Sequence, residues 1–82
     1  MNLAELRARL DGIDRKLLEL VKERQALAAG IAEVKRATGY PTRDFQRERE
    51  VLLAARTTAL ELGIPASTAV AVLSLLIRSS LV

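Results

Sequence analysis

Leu3, Leu6, Leu10, Ile13, Leu17, Leu20, Leu27, Ile31 and Val34 recur along the first part of the chain in alternating steps of three and four. That is the spacing of one face of a continuous α-helix, and it predicts a first helix over about residues 3–38. Asn2, with Glu5 three residues on, makes a capping-box-like start in which Asn replaces the more usual Ser or Thr. Gly39-Tyr40-Pro41 ends the helix, because Gly suits the left-handed cap and Pro has no amide donor. One slot of the apolar series is charged: Arg24, four after Leu20 and three before Leu27. A guanidinium that leaves water needs hydrogen-bond partners, so an anion from the protein or from a ligand is expected beside it.

Asp44 is a good N-cap for a second helix reaching to about residue 62, with Phe45, Leu52, Ala55, Ala59 and Leu62 on its inner face. The slot between Phe45 and Leu52 holds Glu48, a second charge set into an apolar seam. Gly63-Ile64-Pro65 breaks the chain again, and residues 66–82 are apolar nearly all round, with Ala69, Leu73, Leu76 and Ser80 in register. Val70 and Val72 permit a strand there, but one strand has no partner in an otherwise helical chain, so a third helix is expected. The fold class is all-α: three helices, one long and two shorter, in a single domain over residues 1–82. There is no repeat, low-complexity tract or linker, and both breaks read as tight turns. Gly30, near Leu27 and Ile31, is a place for close helix approach.

These lengths predict a homodimer. A helix of 36 residues is about 54 Å long, whereas a compact globule of this size has a radius of gyration of about 12 Å. The second and third helices, about 28 and 24 Å long, would laid end to end match the first, leaving a layer two helices thick with an apolar face to cover. A two-fold axis is the common way to cover it. Arg24 and Lys35 are three helical turns apart with about 20° of drift, so they share a face at a separation of about 16 Å, short enough for two long side chains to converge on a small anion. Arg7 is about 42 Å from Lys35 along the same rod, so it reaches a common small ligand only from a second copy.

Composition narrows the chemistry. The 82 residues include no Cys and no His, which excludes disulfides, thiolate chemistry, Cys/His zinc sites and histidine acid–base catalysis. The net charge of +3, with thirteen Lys and Arg against ten Asp and Glu, suits anions. Cations interleaved with acids, and aromatics limited to Tyr40 and Phe45, argue against a nucleic-acid module. No signal peptide or membrane-spanning run is present, so a soluble cytoplasmic protein without membrane association is expected.

The runs L-R-x-x-L-D-x-I-D at Leu6 to Asp14, L-L-E-L-V-x-E-R at Leu17 to Arg24 and I-x-x-V-K at Ile31 to Lys35 resemble the first helix of the all-α (AroQ-class) chorismate mutases. R-D-F-Q-R-E-R-E at Arg43 to Glu50 is similar to that family's second-helix run, and L-L-I-R-S-S-L resembles its third helix. The resemblance spans essentially the whole chain, and its specificity lies in the joint placement of Arg24, Lys35, Asp44, Arg47 and Glu48. It implies an intertwined homodimer that converts chorismate, a small dicarboxylate, to prephenate by a Claisen rearrangement without cofactor or metal, in the shikimate pathway to phenylalanine and tyrosine. By this resemblance the partner subunit's Arg7 joins Arg24 and Arg47 on the substrate carboxylates, and Lys35 donates to the ether oxygen. Glu48 and Asp44 meet the ring hydroxyl, and Ser80 sits at the carboxylate end. The composition suits that task independently: a unimolecular rearrangement of a dianion needs a shaped cationic cavity and no nucleophile or proton shuttle.

Each residue also has a plain structural reading. Arg24 and Glu48 can form an interhelical ion pair with each other, Lys35 can be a solvated residue favoured by the helix dipole, Asp44 a cap, and Ser80 a packing hydroxyl. Two other functional classes fit the same scaffold: an isochorismate pyruvate lyase or aminodeoxychorismate mutase, and a non-catalytic helical dimerisation or regulatory module. The family's third helix usually runs about one turn further and carries a Gln that assists the lysine, whereas this sequence ends at Val82. Family members are often fused to prephenate dehydrogenase or dehydratase, so a domain excised from a longer or bifunctional chain, or a partner enzyme of aromatic amino acid biosynthesis, is consistent with that ending. These 82 residues are expected to turn over chorismate more slowly than a version extended through that turn, and equal loss of chorismate's ultraviolet absorbance with the two would refute the expectation.

Overall fold

The computed structural model describes residues 1–41 and 43–80. Three helices follow in order: α1 (Leu3–Thr38), α2 (Phe45–Leu62) and α3 (Ala66–Ser79). The bounds of α1 and α2 match those expected, and the expected continuation of the third helix over 81–82 lies outside the described residues. The Asn2 Oδ1 accepts the Glu5 amide at 2.8 Å, and the Asp44 Oδ1 accepts the Arg47 amide at 3.0 Å, so both predicted N-caps form.

α1 and α2 end in the same way. Gly39 (φ 76°) and Gly63 (φ 70°) take the left-handed conformation. The following residue then donates back across the last turn, Tyr40 N–H to the Lys35 carbonyl at 2.9 Å and Ile64 N–H to the Ala59 carbonyl at 3.0 Å. These six-to-one bonds satisfy carbonyls that a helix end leaves without an intrahelical partner. Each glycine is followed within two residues by a proline, so neither helix can propagate through its cap.

The second turn folds α3 back on α2. Ala55, Ala59 and Ala69 are buried where the two meet, with Ala66 and Leu73 packed around them. This differs from the end-to-end arrangement expected from the lengths. Small side chains on facing turns let the backbones come close, and the six-to-one turn at Gly63 reverses the chain within three residues. The outer members of the expected inner face stay exposed: Phe45 is 58% accessible and Leu62 68%.

α1 buries nothing. Its apolar seam is accessible throughout, from 45% at Leu6 to 66% at Leu27, and a Cβ added at Gly30 would meet no atom within 4 Å. Among the described residues one side-chain hydrogen bond ties it to the hairpin, Gln25 Nε2 donating to Ser79 Oγ at 3.2 Å. The radius of gyration is 15.9 Å and the longest extent 55 Å, the span of α1 itself. Among the described residues no helix is long and apolar enough to cross a membrane.

Gly63→Ala forces a Cβ into the left-handed region at the turn that closes the α2–α3 hairpin. It should lower unfolding stability by about 1 kcal/mol, read from the urea midpoint.

Candidate functional site

The C-terminal half of α1 and the entry to α2 enclose a groove of about 590 Å³, within the range of small-molecule sites. Leu27, Ile31 and Val34 give it an apolar floor, and Lys35, Tyr40 and Asp44 stand at its end. Helical spacing puts Lys35 there: it lies four after Ile31 and so on the face of the apolar seam, in the last turn before Gly39. Lys35 is half-buried, and among the described residues it forms no ion pair.

Glu48 sits in the first turn of α2, half-buried, with its side chain only 20% accessible. Arg43, the residue before the Asp44 cap, grips it with both ends of its fork: Nε donates to Oε2 at 2.9 Å and Nη2 to Oε1 at 3.0 Å. The Arg43 guanidinium is itself placed 4.5 Å over the Phe45 ring. Hydrogen bonds from Arg43 hold the Glu48 carboxyl below the ordinary carboxylate range. Desolvation opposes them, the Arg43 and Lys35 charges add to them, and the Asp44 charge works the other way. Arg43 is pushed up in turn, chiefly by the same hydrogen bonds.

This pair corrects one structural reading of the sequence. Glu48 is matched with Arg43, five residues before it, and not with Arg24. Arg24 is half-buried midway along α1, and among the described residues it has no ion-pair partner. Spacing alone did not single out Arg43 as the partner of Glu48. The available signal was a cation and an aromatic flanking an N-cap, with an acid one turn into the helix.

The other expected residues are more scattered in a single chain. Arg47 donates its amide to the Asp44 cap while its guanidinium lies 3.6 Å from Glu50 and is 69% exposed. Arg7 is exposed in the second turn of α1, about 42 Å along the rod from Lys35. Ser80 is half-buried and donates back to the Leu76 and Ile77 carbonyls at 2.9 and 3.0 Å. It borders a second, separate hollow of about 450 Å³ with Gln25, Glu33 and Arg36, which shares only Gly30 with the first. Among the described residues no group of three acidic side chains is placed to hold a metal ion.

One chain therefore brings Lys35, Asp44 and Glu48 together at the junction of α1 and α2 and leaves Arg24 uncompensated on the same seam. The groove is lined by Lys35 and Asp44, while Arg24 and Glu48 stand outside its lining.

Comparison with known proteins gives a concordant result. The family model described as chorismate mutase type II matches residues 6–82. A chorismate mutase of Methanocaldococcus jannaschii is 35% identical over 76 residues, which cover 93% of this chain and 77% of that protein. The T-protein of Enterobacter agglomerans is 36% identical over 78 residues, 95% of this chain and 21% of that one. A bifunctional chorismate mutase/prephenate dehydratase of Escherichia coli is 40% identical over 50 residues, 61% of this chain and 13% of that one. With a family match over residues 6–82, a relative 35% identical across 93% of this chain, and an all-α fold of three helices, the chain belongs to the chorismate mutase type II family.

Proposed function

We propose that this chain is a cofactor-free isomerase that rearranges chorismate to prephenate in a cavity completed by a second copy of itself. The observation that carries the reading is the pair of half-buried cations that form no ion pair among the described residues, Arg24 and Lys35, on the apolar seam of α1. Keeping such charges unpaired is costly unless an anion arrives to meet them. The substrate is a dianion with an ether oxygen that gains charge as the C–O bond breaks.

Lys35 at the end of the groove donates to that oxygen and stabilises the developing charge, while Arg24 takes a carboxylate. Arg47 and the partner's Arg7 complete the carboxylate grip, Arg47 by leaving its weak, exposed contact with Glu50. Glu48 and Asp44 accept the ring hydroxyl, and Ser80 turns its hydroxyl to the carboxylate end. Holding the dianion folded brings the two carbons that bond into contact, so the chain supplies geometry and field, and the bonds rearrange within one molecule.

Dimerisation supports the same reading from the side of stability. An apolar stripe along all of α1 is larger than a soluble chain leaves to water, and a second copy related by a two-fold axis covers it with its own. In that arrangement the 1–82 stretch acts as one catalytic domain, whether it stands alone or within a longer, cytoplasmic enzyme of aromatic amino acid biosynthesis.

Lys35→Ala should cut chorismate turnover by about 10²-fold or more while leaving the thermal midpoint within a few degrees of wild type; a collapse in stability would point to a structural lysine. Arg7→Ala and Arg24→Ala should each be inactive alone. An equal mixture that exchanges subunits should recover about one quarter of wild-type activity, because half the dimers are mixed and one of their two sites regains both arginines. No recovery after verified exchange would remove the shared site.

A further inference from the structure

We propose that Arg43 is a positioning residue of this site, fixing the plane of the Glu48 carboxylate so that its open oxygen lone pairs face the substrate's ring hydroxyl. The proposal rests on the mutase reading above, and it adds a residue that does not itself touch substrate. The geometry has three parts. The fork is bidentate, at 2.9 and 3.0 Å, which fixes a carboxylate in rotation as well as in place. The guanidinium is braced from below by the Phe45 ring at 4.5 Å, so the clamp is itself held. Arg43 and Phe45 flank Asp44, whose cap to the Arg47 amide sets where the first turn of α2 begins.

A carboxylate has about four lone-pair sites, and the fork uses one on each oxygen. One site on each oxygen remains, so Arg43 orients Glu48 without blocking it. A free glutamate in a first helical turn would sample several rotamers, and only some would meet the hydroxyl. Lys35 and Asp44 are the other charged groups that act on Glu48, and their influences oppose one another. Removing Arg43 therefore leaves the carboxylate both loose and easier to protonate, and a protonated Glu48 loses much of its strength as an acceptor.

The sign is fixed by that loss. Glu48 accepts as an anion, so activity falls as pH drops through its pKa. Arg43 depresses that pKa, so without the arginine the acid limb of kcat/KM moves to higher pH.

The test uses Arg43→Gln and Arg43→Lys in the intact chain. Each is measured against wild type by the pH profile of kcat/KM for chorismate and by ¹³C titration of the Glu48 side-chain carboxyl. Arg43→Gln should lose about tenfold in kcat/KM at neutral pH, move the acid limb upward and raise the Glu48 titration with it. Arg43→Lys keeps a point charge without the fork. It should return the acid limb most of the way while recovering only part of the rate. An active wild type whose Arg43→Gln variant keeps both its rate and its Glu48 titration overturns the proposal and leaves the mutase reading standing. So does a drop in melting temperature with an unmoved acid limb, which marks a purely structural pair. A wild type inert toward chorismate overturns the mutase reading, and this proposal with it.

Discussion

Everything in this structure depends on the mismatch between α1 and what one chain can bury. The helix runs the full 55 Å of the molecule and carries an apolar seam from end to end, yet the only buried side chains among the described residues are three alanines at the α2–α3 contact. Hydrophobic burial scales with area removed from water, and three methyl groups contribute little. Most small domains bury such surface within the chain, and this one leaves it on the outside of α1. That choice also explains the scarcity of aromatics, because long stripes of Leu, Ile and Val interdigitate along helices without bulky rings.

The same constraint places the chemistry. An active site needs walls, and a rod with a short hairpin offers only one. In the proposed dimer the cations on α1 would face the second copy, so the surface that stabilises the assembly would also exclude water from the site. Arg24 and Lys35 are half-buried in the single chain, and a lower dielectric around them would strengthen their fields. The entry to α2 serves as the fixed corner of this arrangement. Asp44 caps the helix, Arg43 clamps Glu48 and Phe45 supports Arg43, all within six residues of backbone set by one cap.

The helices and their ends were legible in the sequence because each is decided locally. The seam of α1, the caps at Asn2 and Asp44 and the left-handed glycines at 39 and 63 depend on neighbours within four or five residues. The partner of Glu48 was not legible. Arg24 and Arg43 are both arginines that reach it in principle, and the choice falls on Arg43, which stands just before the Asp44 cap and beside the first turn of α2. Periodicity contains no information about that choice. The packing of α3 on α2 was missed for a related reason. Lengths alone favour laying both helices along α1, whereas the alanine faces at 55, 59 and 69 pair most closely with each other. Arg7, Arg47 and Ser80 mark a further limit, since within one chain they stand apart from the groove.

The absence of histidine and cysteine gains its meaning from this geometry. A site that moves protons needs groups that titrate near neutral pH, whereas a site that only holds and polarises needs charges that stay charged. Arginine and lysine keep their charge across the physiological range, and the one carboxylate at the groove with a resolved perturbation is driven further toward its ionised form. The Arg43–Glu48 pair at the entry to α2 is therefore driven toward its ionised form by its own hydrogen bonds. A field built in this way costs no reorganisation at the moment of reaction, which is the condition under which a rearrangement within one bound molecule is accelerated.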